Sequence, residues 1–121
     1  MSNYRDLDVW QKSRLLTAEV YRLTGKFPRA EMFGLGQQMR RAAVSVPSNI
    51  AEAHGRRSDA DITHFLLIAR GSLLELETEA VLAGDLGFAS EAEANAIVTK
   101  VTATVRPLNG LIRYYSTKRK K

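Results

Sequence analysis

"RRAAVSVPSNIAEAHGRRS", residues 40–58, holds a proline in the middle of a helical pattern and an arginine pair at each end. Leu35, Met39, Ala42, Ala43, Val46, Ile50 and Ala53 keep one face on both sides of Pro47, whereas a break between two helices normally resets the phase. The stretch therefore reads as one helix kinked at Pro47. The proline removes an amide and pushes away the carbonyl of Ala43, which needs another partner if buried. Ser48 and Asn49 are the nearest polar candidates. At about 100° per residue, Arg41, Ser45, Ser48, Asn49, Glu52 and Arg56 form a polar stripe beside the apolar one. A rival reading takes Asn49-x-x-Glu52 as a capping box that restarts a helix after the proline.

Outward from this segment the chain is helical on both sides. Val9, Ser13, Leu16, Val20, Leu23 and Phe27 step by alternating fours and threes, with Trp10 and Tyr21 widening the stripe. That first helix should stop near Gly25, just before Pro28. Gly34 and Gly36 resist helix, and Gly36 is an acceptable N-cap for the segment that follows. Ser58-Asp-Ala-Asp61 and Ser90-Glu-Ala-Glu93 read as capping boxes, the first with the shorter acid. They open a third helix, cored by Ile62, Phe65, Leu66, Ala69, Leu73, Leu76, Ala80 and Ala83. A fourth is cored by Ala94, Ile97, Val98, Val101, Val105, Leu108, Ile112 and Tyr115 and contains Pro107. No alternating, strand-like pattern is present. Four helices with short connections predict an all-α, up-and-down four-helix bundle over residues 1–117, followed by a basic tail at 118–121.

The third helix carries a second apolar face. Leu67, Gly71, Leu74, Thr78 and Val81 cluster opposite its core residues, flanked by Glu75, Glu77 and Glu79. A four-helix bundle has no central helix, so a helix apolar on two sides predicts a homo-oligomer interface.

Charge is placed unevenly. Residues 1–57 hold ten Lys and Arg against five Asp and Glu, residues 58–117 hold four against eight, and 118–121 is Lys-Arg-Lys-Lys. The formal net charge is +5. Such a distribution favours RNA or DNA, or an acidic protein, as partner. Guanidinium forks suit phosphate oxygens, which makes Arg40, Arg41, Arg56, Arg57, Lys118, Arg119, Lys120 and Lys121 the candidate nucleic-acid contacts. Arg41 and Arg56 fit equally well as partners of Glu52, leaving Arg40, Arg57 and the tail the better candidates. Aromatic residues are sparse in these segments, so any such contact should follow charge and shape.

Enzymatic chemistry finds little support. His54 and His64 are the only histidines, and no nucleophile–base–acid set has helical spacing. Asp61-x-x-His64 is half of a di-iron motif and lacks its second half, so no metal or other cofactor is expected. The 34–36 Gly-Leu-Gly lacks the strand and later glycine of a dinucleotide loop. There is no cysteine, no apolar run of membrane-spanning length and no signal-peptide pattern at the N-terminus. A cytoplasmic protein is expected, with no membrane partner.

Val9-Trp10, Phe27-Pro28, Glu31, Gly34-Leu35, the run from Arg41 to Glu52 with "SVPSNIAE", Gly55-Arg56, Phe65, Gly71-Ser72-Leu73 and Glu75-Leu76 together resemble the proteins encoded in intervening sequences of bacterial 23S ribosomal RNA genes. The resemblance spans about residues 6–115. It departs at Ala53, where that family usually has glycine, and at Gly36, where threonine or serine is common. It implies a four-helix bundle assembling into a homopentamer. A related branch, the accessory protein of diversity-generating retroelements, is a basic pentamer that associates with reverse transcriptase and nucleic acid. The expectation is thus a non-enzymatic, basic homo-oligomer binding nucleic-acid backbone, with a scaffold docking an acidic protein, such as a reverse transcriptase or ribosomal component, as the alternative.

Overall fold

In the computed structural model, residues 3–119 are described, with side chains through Thr117. After a 3-10 turn at Tyr4–Asp6, helix α1 spans Asp8–Thr24 and ends at Gly25. A second 3-10 turn, Arg29–Glu31, leads to α2, Leu35–His54, then α3, Asp59–Asp85, and α4, Glu91–Arg119. Consecutive helices pack against each other and α4 closes back on α1, so α1 and α3, and likewise α2 and α4, stand across the diagonals. This is the four-helix bundle. Among the described residues no helix is long and apolar enough to cross a membrane.

The core follows the apolar stripes. Leu16 and Val20 of α1, Met39, Val46 and Ile50 of α2, Leu73 and Leu76 of α3, and Val101 and Leu108 of α4 are almost wholly buried together. Burying a side chain of this kind contributes roughly 1.5–3 kcal/mol each, which is what holds four marginal helices in place. Ser72 and Glu79 are also buried, on the edge of α3 that meets α2. Both lay outside the expected core face.

Helix α2 is continuous through Pro47, so residue 49 starts no new helix. The Asn49 amide instead donates back to the Ser45 carbonyl at 2.8 Å and to its hydroxyl at 3.0 Å. Nor do Ser48 or Asn49 serve the carbonyl that the proline abandons. Ala43 O accepts from the hydroxyl of Thr17 on α1 at 3.2 Å. The sequence-near candidates lose because Asn49 is already committed to Ser45 and the orphaned carbonyl faces α1.

The helix ends show one further difference. Ser90 and Glu93 form a reciprocal capping box, each backbone N–H meeting the other's side chain at 2.9 and 3.1 Å. Ser58 accepts from the Asp61 amide at 3.1 Å, and no return bond is made by the shorter acid. For α2, the N-cap is Gly34 and not Gly36. Glu31 Oε1 accepts from Leu35 N at 3.2 Å and starts the helix earlier. Gly36 then lies buried inside the first turn, where a Cβ would stand 3.1 Å from the Glu31 carbonyl oxygen. Its missing side chain allows that close approach. At the end of α3, Gly87 takes φ +78, the left-handed conformation that reverses the chain into α4.

Candidate nucleic-acid interface

The α2–α3 connection is only Gly55-Arg-Arg-Ser58, so both arginines are forced to the end of the bundle where α2 stops and α3 begins. Antiparallel packing brings the start of α1 and the last turns of α4 to the same end. Together they line a cleft of about 620 Å³ whose wall includes Leu7, His54, Arg56, Arg57, Ile62 and Tyr115. Ile50, Ala53, Leu66, Leu111, Tyr114 and Asp59 complete it.

The two arginines are held differently. Arg56 lies 2.6 Å from Glu52 Oε2, and its guanidinium carbon sits 4.7 Å from the centroid of the Phe65 ring. It is pinned between a carboxylate and an aromatic face. Arg57 is exposed and makes no hydrogen bond or ion pair among the described residues. Aromatic rings gather around them from distant segments. Tyr4 packs edge-on against Trp10 at 5.3 Å and against His54 at 6.4 Å, and Tyr114 against Tyr115 at 4.9 Å. Phe65 thus stacks with Arg56, and Tyr114 and Tyr115 line the cleft beside both arginines.

The other pair lies elsewhere. Arg41 stands about 20 Å from His54 at the cleft, counted along α2 at 1.5 Å per residue. It is exposed and does not pair with Glu52, which is taken by Arg56. Arg40, expected to face solvent or ligand, turns back onto α1. Its Nε donates to Thr24 Oγ1 at 2.7 Å, Nη2 reaches the Tyr21 carbonyl at 3.5 Å, and the guanidinium carbon lies 4.5 Å over the Tyr21 ring. A cation at the C-terminal carbonyls of α1 also opposes the helix dipole. Sequence spacing could not reveal this, because Thr24 and Arg40 meet only through the α1–α2 packing. Of the predicted tail, Lys118 and Arg119 are described only as backbone of α4, and Lys120 and Lys121 lie outside the described residues.

The remaining polar stripe of α2 is internal glue. Ser45 meets Ser72 of α3 hydroxyl to hydroxyl at 2.8 Å, joining the two helices, while Ser48 is exposed. His64 is exposed and stacks edge-on against Phe65 at 5.2 Å. Among the described residues no three His, Asp or Glu side chains converge as a metal site would require.

No curated protein matches the chain. The family described as 23S rRNA-intervening sequence protein matches residues 5–110, most of the length, with α1, α2 and α3 whole and α4 in part. With the bundle itself, that match places this chain in the 23S rRNA-intervening sequence protein family.

Proposed function

We propose that this protein is a non-enzymatic, cytoplasmic homo-oligomer, a pentamer, that binds the backbone of RNA or DNA with little sequence preference. The contact is made by Arg57 and Arg56 at the bundle end, together with the basic residues 118–121. The observation that carries this reading is Arg57: an exposed guanidinium with no partner among the described residues, at the rim of a cleft that also includes Tyr114 and Tyr115. An unpaired arginine keeps its full fork for a phosphate, and neighbouring rings can accept an unstacked base. Repetition matters as much as the single site. Five copies of a +5 chain carry about +25, so many weak phosphate contacts act together.

Fluorescence anisotropy against unrelated RNA and DNA oligonucleotides over a range of salt tests the reading. Arg57→Gln and deletion of residues 118–121 should each weaken binding by a similar factor for every oligonucleotide and flatten the salt dependence. A changed ranking among oligonucleotides would point to base readout instead. Absence of wild-type binding at about 50 mM salt would sink the proposal and bring forward docking of an acidic protein.

A further inference from the structure

Helix α3 leaves an apolar stripe uncovered. Leu67, Leu74 and Val81 recur at seven-residue steps and are 41%, 52% and 49% exposed, with Leu82 beside them. At Gly71 a Cβ would meet nothing within 4 Å, so the stripe is open to close approach. The helix is also acidic, six Asp and Glu against one base, Arg70, whose guanidinium bonds Asn109 of α4 at 3.1 Å. Glu75 is exposed and Glu77 half-buried, and among the described residues no lysine or arginine is within ion-pair distance of either. An apolar ridge flanked by uncompensated carboxyls lacks a basic, concave counterpart.

The same molecule has one on another side. The outer groove between α1 and α2, about 460 Å³, is lined by Tyr21, Gln37, Arg40, Arg41, Val44 and Ser45. Tyr21 and Val44 are 45% and 41% exposed, and Arg41 has no partner among the described residues. Its charge has the opposite sign to that of α3, and its concave form suits a helix ridge.

We propose that the α3 ridge of one copy docks into the α1–α2 groove of a second copy, with Leu74 against Tyr21 and Val44 and with Glu75 facing Arg41. The two faces lie on different sides of one bundle, so the contact is heterologous: each docked copy still offers one free ridge or groove until a ring closes. This rests on the homo-oligomer reading above and specifies its geometry. It also assigns Arg41 to the subunit contact and leaves Arg57 to the nucleic acid.

Light scattering on variants separates the possibilities. Leu74→Glu disables the ridge and Val44→Glu disables the groove, and each should be a monomer with unchanged helicity. Mixed in equal amounts they should form a two-chain complex and nothing larger, because one intact ridge meets one intact groove. If Leu74→Glu does not fold, Thr78→Arg at an exposed position of the same stripe replaces it. Restoration of assembly in Glu75→Arg combined with Arg41→Glu, after loss in each alone, supports the pairing. If Val44→Glu still assembles, or the mixture stays monomeric, the inference is overturned while the homo-oligomer reading stands. A monomeric wild type overturns both.

Discussion

The hydroxyl of Thr17, 2.9 Å from the Ser13 carbonyl of its own helix, shares its proton with the carbonyl oxygen of Ala43 at 3.2 Å, across the α1–α2 contact. That carbonyl is the one Pro47 would serve if it had an amide. Proline in mid-helix is thus compensated by a side chain from a neighbouring helix. Thr17→Val removes the donor at nearly constant volume and should cost about 1–2 kcal/mol, the penalty for leaving a part-buried acceptor unmet. In a Pro47→Ala background the new amide can serve Ala43, so the same substitution should cost clearly less. Urea denaturation of the four proteins in this cycle measures the difference, and additive effects would mean the hydrogen bond does not compensate for the proline.

Glu79 predicts an unusual dependence on pH. Burial, then the neighbouring Glu75, raises its carboxyl from 4.5 to about 7, and its Oε1 has no hydrogen-bond partner. Because the folded value is raised, the stabilising contribution is complete below about pH 4.5, where both states hold the proton. It declines as pH rises toward about 7, since the unfolded chain releases the proton first. Glu79→Gln, which mimics the neutral form, should remove this slope and raise stability at pH 8 by about 1–2 kcal/mol, a figure reduced for solvent screening around the exposed Glu75. Denaturation at pH 5 and pH 8 checks it; equal gains at both would refute the assignment. Glu93 has the opposite sign. The Ser90 amide, then Lys26, holds its carboxylate below the usual range, so its contribution is lost as pH falls.

The capping box at α4 makes a simpler claim. Ser90→Ala removes the acceptor for the Glu93 amide and should lower stability by about 1 kcal/mol. Ser58→Ala removes the single cap of α3 and should cost a similar amount. Thermal denaturation measures both, and a cost near zero for Ser90→Ala would show that solvent replaces the cap.

Those caps were legible because they act within four residues, as were the apolar faces that define the bundle. The second face of α3 was legible for the same reason: Leu67, Leu74 and Val81 recur on one helix. What escaped the sequence depends on packing between helices. Thr17 reaches Ala43 across 26 residues, and Arg40 reaches Thr24 across 16. Glu79 reads as a flanking charge, yet it sits seven residues from Ser72 on the buried edge of α3. The cleft was invisible for a related reason. Its wall takes Leu7, His54, Ile62 and Tyr115 from four elements or their flanks, so residues far apart along the chain meet in space.

Arg40 and Arg57 should separate stability from binding. Arg40 spends its guanidinium on Thr24 and Tyr21, so Arg40→Gln removes a hydrogen bond and a ring contact and should cost about 1 kcal/mol of folding stability. Its effect on nucleic-acid affinity should be small. Arg57 touches no described side chain by hydrogen bond or ion pair, so Arg57→Gln should leave the denaturation midpoint unchanged while weakening binding several-fold at low salt. The two measurements, denaturation and anisotropy on the same pair of variants, form a crossed pattern that a diffuse effect of net charge cannot produce, because both substitutions remove one positive charge. Equal losses of affinity in the two variants would show that only the total charge matters, and the bundle end would lose its claim as the contact site.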